Sequence, residues 1–412
     1  MTAAPISPGR VERLSEILAA KHVAIVGIIL GLLSAFFTLP PVLARSATVP
    51  IALGILAVAC GIWAVSRDVN RPGWGAIAAG LFGITLGLLD LQSSTAHLKD
   101  VFTWGTLLAA TLRYATPLTF GALGGLVSER SGVVNIALEG MMLMGAFFGI
   151  WGSATTGHWW LGLLIAMGIG GLTAFIYGIF AIHLRADQIV GGTAVNFLAL
   201  GITGYLFIQI YGPNGTPDLS GAESIPNVHL SFLGNGFFGQ VFGRLNLMIW
   251  LVIILMVVLY YFVFRTSLGL RLRSVGEHPR AADTVGIDVY KVRYLAVTTS
   301  GVLASMGGAY LSIGFVHSFN ENMTEGRGFI ALAALIFGKW KPFGAFGAAC
   351  LFGFSTALAT AIPSAYVDST SGLLRSGALF QTLPYILTLV AVAGVIGRSV
   401  APAADGKPYV KQ

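Results

Sequence analysis

The chain has 412 residues, of which 55% are hydrophobic and only 10% charged, with a mean hydropathy of +0.81. A soluble domain of this size carries about a quarter charged residues, so the composition argues against a soluble protein and for the bilayer as solvent. The net charge of +7 does not signal nucleic-acid binding, because the basic residues sit in short loops between apolar runs.

The first apolar run, "HVAIVGIILGLLSAFFTLPPVL", is long enough to cross a bilayer and others follow it. It reads as a signal-anchor span rather than a removed leader. Further spans of roughly 20 apolar residues follow. Taken together, the spans fall at about 22–44, 48–66, 74–91, 106–127, 133–151, 159–183, 190–211, 246–264, 293–316, 343–362 and 380–397. The run "GFIALAALIFG" at 328–338 is too short for a regular crossing. A tilted, broken or re-entrant element is expected there, which is tolerated where protein shields the backbone.

Counting that run as a crossing and starting in the cytoplasm places 18 Lys and Arg inside and five outside, with Arg113 within a span. The five are Arg45, Lys99, Arg244, Arg327 and Arg375. This asymmetry is what topology rules demand. The expected fold class is an all-α polytopic membrane protein of the plasma or inner membrane, with about 12 crossings and both termini cytoplasmic. Cys60 and Cys350 lie in apolar runs without metal or redox spacing. The pairs Gly27/Gly31, Gly83/Gly87 and Gly145/Gly149 are spaced for close helix contact, within this chain or with a second subunit.

Two loops are long. The outer one, 212–246, is rich in Gly, Pro, Asn and Ser; it is a candidate binding surface or an inert connector. The cytoplasmic one carries "GEHPRAADTVG". Pro279 fits a first helical position, with Glu277 just before it, where acid is favoured. Gly286 fits the left-handed position after a helix, and Asp288 can cap the next one. A short helix is expected at about 279–285. It would expose Arg280, Asp283 and Thr284, with Ala281, Ala282 and Val285 as a small apolar patch suited to a groove on another protein. The plainer alternative is a structural loop.

No phosphate-cradling Gly-x-x-x-x-Gly-Lys-Ser/Thr stretch, His-Glu-x-x-His or Gly-x-Ser-x-Gly occurs. The chain reads as a translocation path without its own engine. That leaves a channel, an ion-coupled carrier or one subunit of a larger pump.

"SLGLRLRSVGEHPRAADTVGI" resembles the coupling-helix region of ABC importer permeases, with Glu277, then Ala281 and Ala282, then Gly286 in the family's pattern. "TPLTFGALGGLVSERSGVVNIALEGMMLMGAFFG" at 116–149 and "GRGFIALAALIFGKWKPFGA" at 326–345 strengthen it. Together these blocks resemble the permeases of nucleoside importers, in the broader group of ribose-type and branched-chain amino acid permeases. His278 and Ser274 are mild departures from the pattern.

The resemblance implies a permease domain over 101–398, an N-terminal extension over 1–100 with about three extra spans, and a cytoplasmic tail at 399–412. It implies a non-catalytic subunit that binds no cofactor, with ATP and Mg used by a separate ABC ATPase. It also implies a second, non-identical permease and an extracytoplasmic substrate-binding lipoprotein. Transport would be by alternating access, of nucleosides or, second, of ribose or other simple sugars. The ATPase-coupling residues would be Gly276, Glu277, Pro279, Arg280, Ala281, Ala282, Asp283 and Gly286.

Charges inside spans cost roughly 2.5–3.5 kcal/mol on insertion scales, so the few present are candidates for the substrate path: Arg113 and Glu139. Asn135, four residues before Glu139, is expected on its helix face. Thr193 and Asn196, one turn apart, could meet ribose hydroxyls or base edges. For each the alternative is a structural bond between helices or, for Arg113, a side chain reaching to the interface. An ion-coupled carrier would need ionisable groups near the midplane; Arg113 and Glu139 are not placed there.

Overall fold

The computed structural model describes residues 8–38, 48–90, 103–212, 223–234, 236–365, 382 and 400–411. The expected span at 380–397 and the outer positions Arg45, Lys99 and Arg375 lie outside the described residues. Two units are distinguished, one of residues 1–107 with 355–398 and one of 108–354 with 399–412.

In the first unit, α1 (Pro8–Thr38), α2 (Thr48–Ser66) and α3 (Asn70–Asp90) pack together through small residues. A Cβ on Gly27 would meet Cys60 and Ala76 at 2.8 and 2.9 Å, and one on Gly31 would meet Ala79 at 2.7 Å. Large apolar side chains such as Val26, Ile55 and Ile62 point outwards. Small residues inside and large apolar ones outside is the arrangement lipid favours, since moving leucine from lipid into the protein interior gains little while small residues let helices approach closely.

The second unit is larger. It is built on α4 (Trp104–Glu129), α5 (Leu138–Thr156), α6 (Trp159–Gly178, continued by a π-turn to His183), α7 (Gln188–Tyr211) and α9 (Leu247–Arg265). After these come α10 (Ser267–Glu277), α11 (Pro279–Thr284), α12 (Val289–Ala309, continued by a π-turn to Val316), α13 (Arg327–Phe337) and the residues up to 354 of α14 (Pro342–Ala365), whose remainder is counted with the first unit. Polar side chains start them: Asp187 caps α7, Asn246 caps α9, Thr266 caps α10 and Asp288 caps α12. Helices α4, α5 and α12 form the centre of the core. Gly145 lies against Ser305 and Gly149 against Ala309, so this glycine pair serves contact within the chain.

Seven described helices are long and apolar enough to cross a membrane. The short run is helix α13, whose 11 residues span about 16 Å, roughly half of a bilayer's hydrocarbon core.

The expectation of an all-α chain needs one correction. In the loop after α7, β1 (Asn227–His229) pairs antiparallel with β2 (Arg244–Asn246), with a short helix α8 (Phe237–Phe242) between them. Asn246 anchors this hairpin: its Nδ2 donates to the carbonyls of Ile225 and Gly314 while its Oδ1 accepts from the Met248 N–H. Strands of three residues carry too little alternation to be read from sequence.

Candidate coupling surface and inner clamp

Helix α11 begins at Pro279 and ends where Gly286 takes φ +84°, as the end signals predict. The Asp288 carboxylate accepts from the Lys291 N–H at 3.1 Å. That bond, with the lysine's charge, holds Asp288 below the usual carboxylate range.

Arg280, Ala281, Thr284 and Val285 are exposed, Val285 at 74%. Ala282 is not part of that patch. It is buried in a cluster with Val275, Val289 and Tyr409, and Asp283 is half-buried within hydrogen-bonding reach of the Tyr409 hydroxyl. The expected exposure of Ala282 and Asp283 is therefore corrected, because the C-terminal residues cover that face of α11. Gly276 is buried, and a Cβ on it would stand 2.2 Å from the Arg130 carbonyl.

The end of α4, the turn after it and the start of α5 together hold α13 at both ends. The turn is knit by Ser128 Oγ donating to the Val133 carbonyl and Ser131 Oγ donating to the Ser128 carbonyl, with Gly132 at φ +87°. Beyond the C-terminus of α13, Trp340 donates its indole N–H to Glu129, and its carbonyl accepts from Arg130 Nε and Nη2 at 3.2 and 2.9 Å. At the N-terminus of α13, Glu139 Oε1 accepts from Thr324 Oγ1 at 2.6 Å and the Gly326 N–H at 2.8 Å. Its Oε2 accepts from the Gly328 N–H at 2.6 Å. Hydrogen bonds to a charged group contribute about 1.5–3 kcal/mol each, enough to offset placing a carboxylate there. They also satisfy N–H groups that a helix start leaves open.

The other path candidates are dispersed. Asn135 stands in the turn before α5, not on a helix face shared with Glu139, and its Nδ2 donates to Ser300 Oγ on α12 at 2.8 Å. The sequence expectation of a common face fails because the turn after Gly132 runs to Ala137 before α5 begins. Asn196 spans to the same turn, accepting from the Gly140 N–H and donating to the Ile136 carbonyl. Thr193 bonds back to the Ile189 carbonyl of its own helix. Arg113 is exposed and lines an open cleft of about 620 Å³ with His229 and Arg244.

Sequence reasoning missed the roles of Glu129, Arg130, Trp340 and Arg293. Arg293 counted only as a cytoplasmic charge, yet it is 1% exposed and donates from Nε to the Ser131 carbonyl. Only the "SERSG" block hinted at this knot.

Residues 107–392 match the family described as branched-chain amino acid transport system permease components. This chain belongs to that family. The guanosine ABC transporter permease protein NupQ of Bacillus subtilis is 44% identical over 74% of this chain and 96% of its own length. The nucleoside permease NupC of Lactococcus lactis is 38% identical over the same shares. A putative glucose permease of Haloferax volcanii, TsgC13, is 35% identical over 71% of this chain and 92% of its own. No solved structure matches the chain. The clamp, α10 to α13 and the β1–β2 hairpin all lie inside the family's stretch of this permease, which is a multi-pass membrane protein. Helices α1 to α3 and residues 400–411 lie outside that stretch.

Proposed function

We propose that this permease is the membrane subunit of an ATP-binding-cassette importer for nucleosides. The observation that carries the reading is the 44% identity to a guanosine permease across nearly all of that protein's length. A simple-sugar substrate is the second reading, supported by the weaker likeness to the putative glucose permease.

The subunit is non-catalytic and binds no cofactor; a separate ATPase uses ATP and Mg. That ATPase takes hold of α11 through the exposed Arg280, Ala281, Thr284 and Val285, supported by Gly276, Glu277 and Pro279 behind them and by the turn at Gly286. Its closure tilts α10 and α11, and the motion reaches α13 through the Gly276–Arg130 contact and the two ends of the clamp. Alternating access follows from α13 and its neighbours changing their openings, with a second, non-identical permease completing the pore in the lipid bilayer.

A substrate-binding lipoprotein delivers to the outer cleft containing Arg113. Asn135, Glu139, Thr193 and Asn196 remain path candidates, acting through the backbone positions they hold where they do not touch substrate. The topology is about 12 crossings with both termini cytoplasmic. Residues 1–100 form an extension, 101–398 the permease domain and 399–412 the tail.

The test is uptake by the complex reconstituted with its ATPase, second permease and lipoprotein. ATP-dependent uptake of labelled guanosine and other nucleosides, with ribose and glucose excluded, is expected. Uptake of sugar alone would overturn the substrate, and uptake driven by an ion gradient without the ATPase would overturn the mechanism.

A further inference from the structure

Residues 400–411 lie outside the family's stretch, and charge counting assigns them nothing beyond a cytoplasmic location. They are nonetheless threaded through the coupling region. The Ala404 N–H donates to the Gly276 carbonyl at 2.9 Å and the Ala403 N–H to Glu277 Oε2 at 3.2 Å. A tight turn follows, in which the Lys407 N–H donates to the Ala404 carbonyl and the Lys407 ammonium returns to the Ala403 carbonyl at 2.8 Å. The Lys407 carbonyl accepts from Arg293 Nη1 at 3.2 Å, the same guanidinium whose Nε bonds Ser131. A Cβ on Gly132 would stand 3.1 Å from the Ala404 carbonyl oxygen. Further on, the Tyr409 ring lies 5.5 Å from that of Tyr290 and closes over Ala282 at 5% exposure.

The segment therefore touches α10, α11, the start of α12 and the 128–134 turn at once. Ordering a segment of irregular backbone costs conformational entropy that only many contacts can offset. These contacts are with the parts that would have to move together.

We infer that the C-terminal segment 400–411 is a splint that positions α11 against the 128–134 turn, so that a push on α11 reaches the clamp on α13. The inference rests on the reading of α11 as the ATPase contact. Without the splint, α11 hangs between two hinges, His278 and Gly286, and its displacement is absorbed there. Tyr409 is a positioning residue in this scheme and touches neither substrate nor nucleotide.

The experiment uses the full reconstituted complex with three permeases: wild type, a chain ending at Ser399, and Tyr409→Ala with Tyr409→Phe as its conservative partner. Amide exchange over 279–285, nucleoside uptake and ATP hydrolysis are measured together. Removing the segment is expected to speed exchange over 279–285 at least tenfold and to cut nucleoside taken up per ATP at least fivefold, with the ATPase still bound. Tyr409→Ala moves both readouts in the same direction and Tyr409→Phe restores them. If the shortened chain fails to reach the membrane, the Tyr409 pair decides.

Unchanged exchange, or faster exchange with unchanged uptake per ATP, overturns the splint. So does lost coupling with unchanged exchange. A wild-type permease that does not bind the ATPase overturns the reading of α11 instead, which keeps the two failures distinguishable.

Discussion

Gly276 and Gly286 bracket α11 and are glycines for different reasons. At Gly286 the space is open, and only φ +84° excludes a side chain. An L-residue there costs about 1–2 kcal/mol. At Gly276 an added Cβ would stand 2.2 Å from the Arg130 carbonyl, and backbone cannot move aside cheaply. Gly286→Ala should therefore lower unfolding stability in detergent by about 1–2 kcal/mol. Gly276→Ala should cost more, about 3 kcal/mol, at the upper end for overpacking. Thermal unfolding of the purified permease checks the order. Equal, small effects would mean that α10 does not lie on the Arg130 carbonyl. The sequence shows both residues as glycine in a polar loop and cannot tell them apart, since one answers to its own φ and the other to a residue 146 positions away.

Among the elements, the C-terminal segment is expected to respond to pH. Asp405 is pushed up to about 7, chiefly by burial, against the lowering effects of the Gly406 N–H and of Arg293. Its Oδ1 has no hydrogen-bond partner, and Glu129 faces it as a second acid. Because the seated carboxyl titrates above the free value of about 3.9, the seated form holds a proton that the released form gives up. Seating is then strongest at low pH and weakens as pH rises from about 4 towards 7, changing little above that. Limited proteolysis should cut the segment faster at pH 8 than at pH 6, and Asp405→Asn should abolish the difference by removing the charge. A flat profile in the wild type would refute the burial of Asp405. At this scale the boundaries of α11 were legible, because Pro279, Gly286 and Asp288 act on their own neighbours. The seat of 400–411 was not, because the bonds that tie it to α10 and α12 are to residues more than 100 positions away.

For the whole molecule, the orientation set by the basic residues puts the β1–β2 hairpin outside and α11 inside. A membrane-impermeant maleimide should label Ser231→Cys in intact cells and Thr284→Cys only after permeabilisation. Both positions are exposed, and the native Cys60 and Cys350 can be replaced first. Labelling of both from outside would break the charge-based topology. Large apolar side chains facing outwards on α2, α6 and α7 agree with a lipid surround and with the composition, which excludes a water-facing exterior of this area.

The sequence by itself determined the solvent, most of the described helices, the short run at 328–338, the helix α11 with its end signals, and the family resemblance. Each depends on local composition, periodicity or contiguous motif, so a linear reading contains it. Only the tertiary structure decided that Glu139 caps α13, that Asn135 reaches Ser300, that Asn246 pins the β1–β2 hairpin, and that Tyr409 covers Ala282. A buried polar group must find a partner, but its type and spacing do not say which one. In an apolar chain with few polar residues, the fold makes that choice by bringing distant segments within hydrogen-bonding distance.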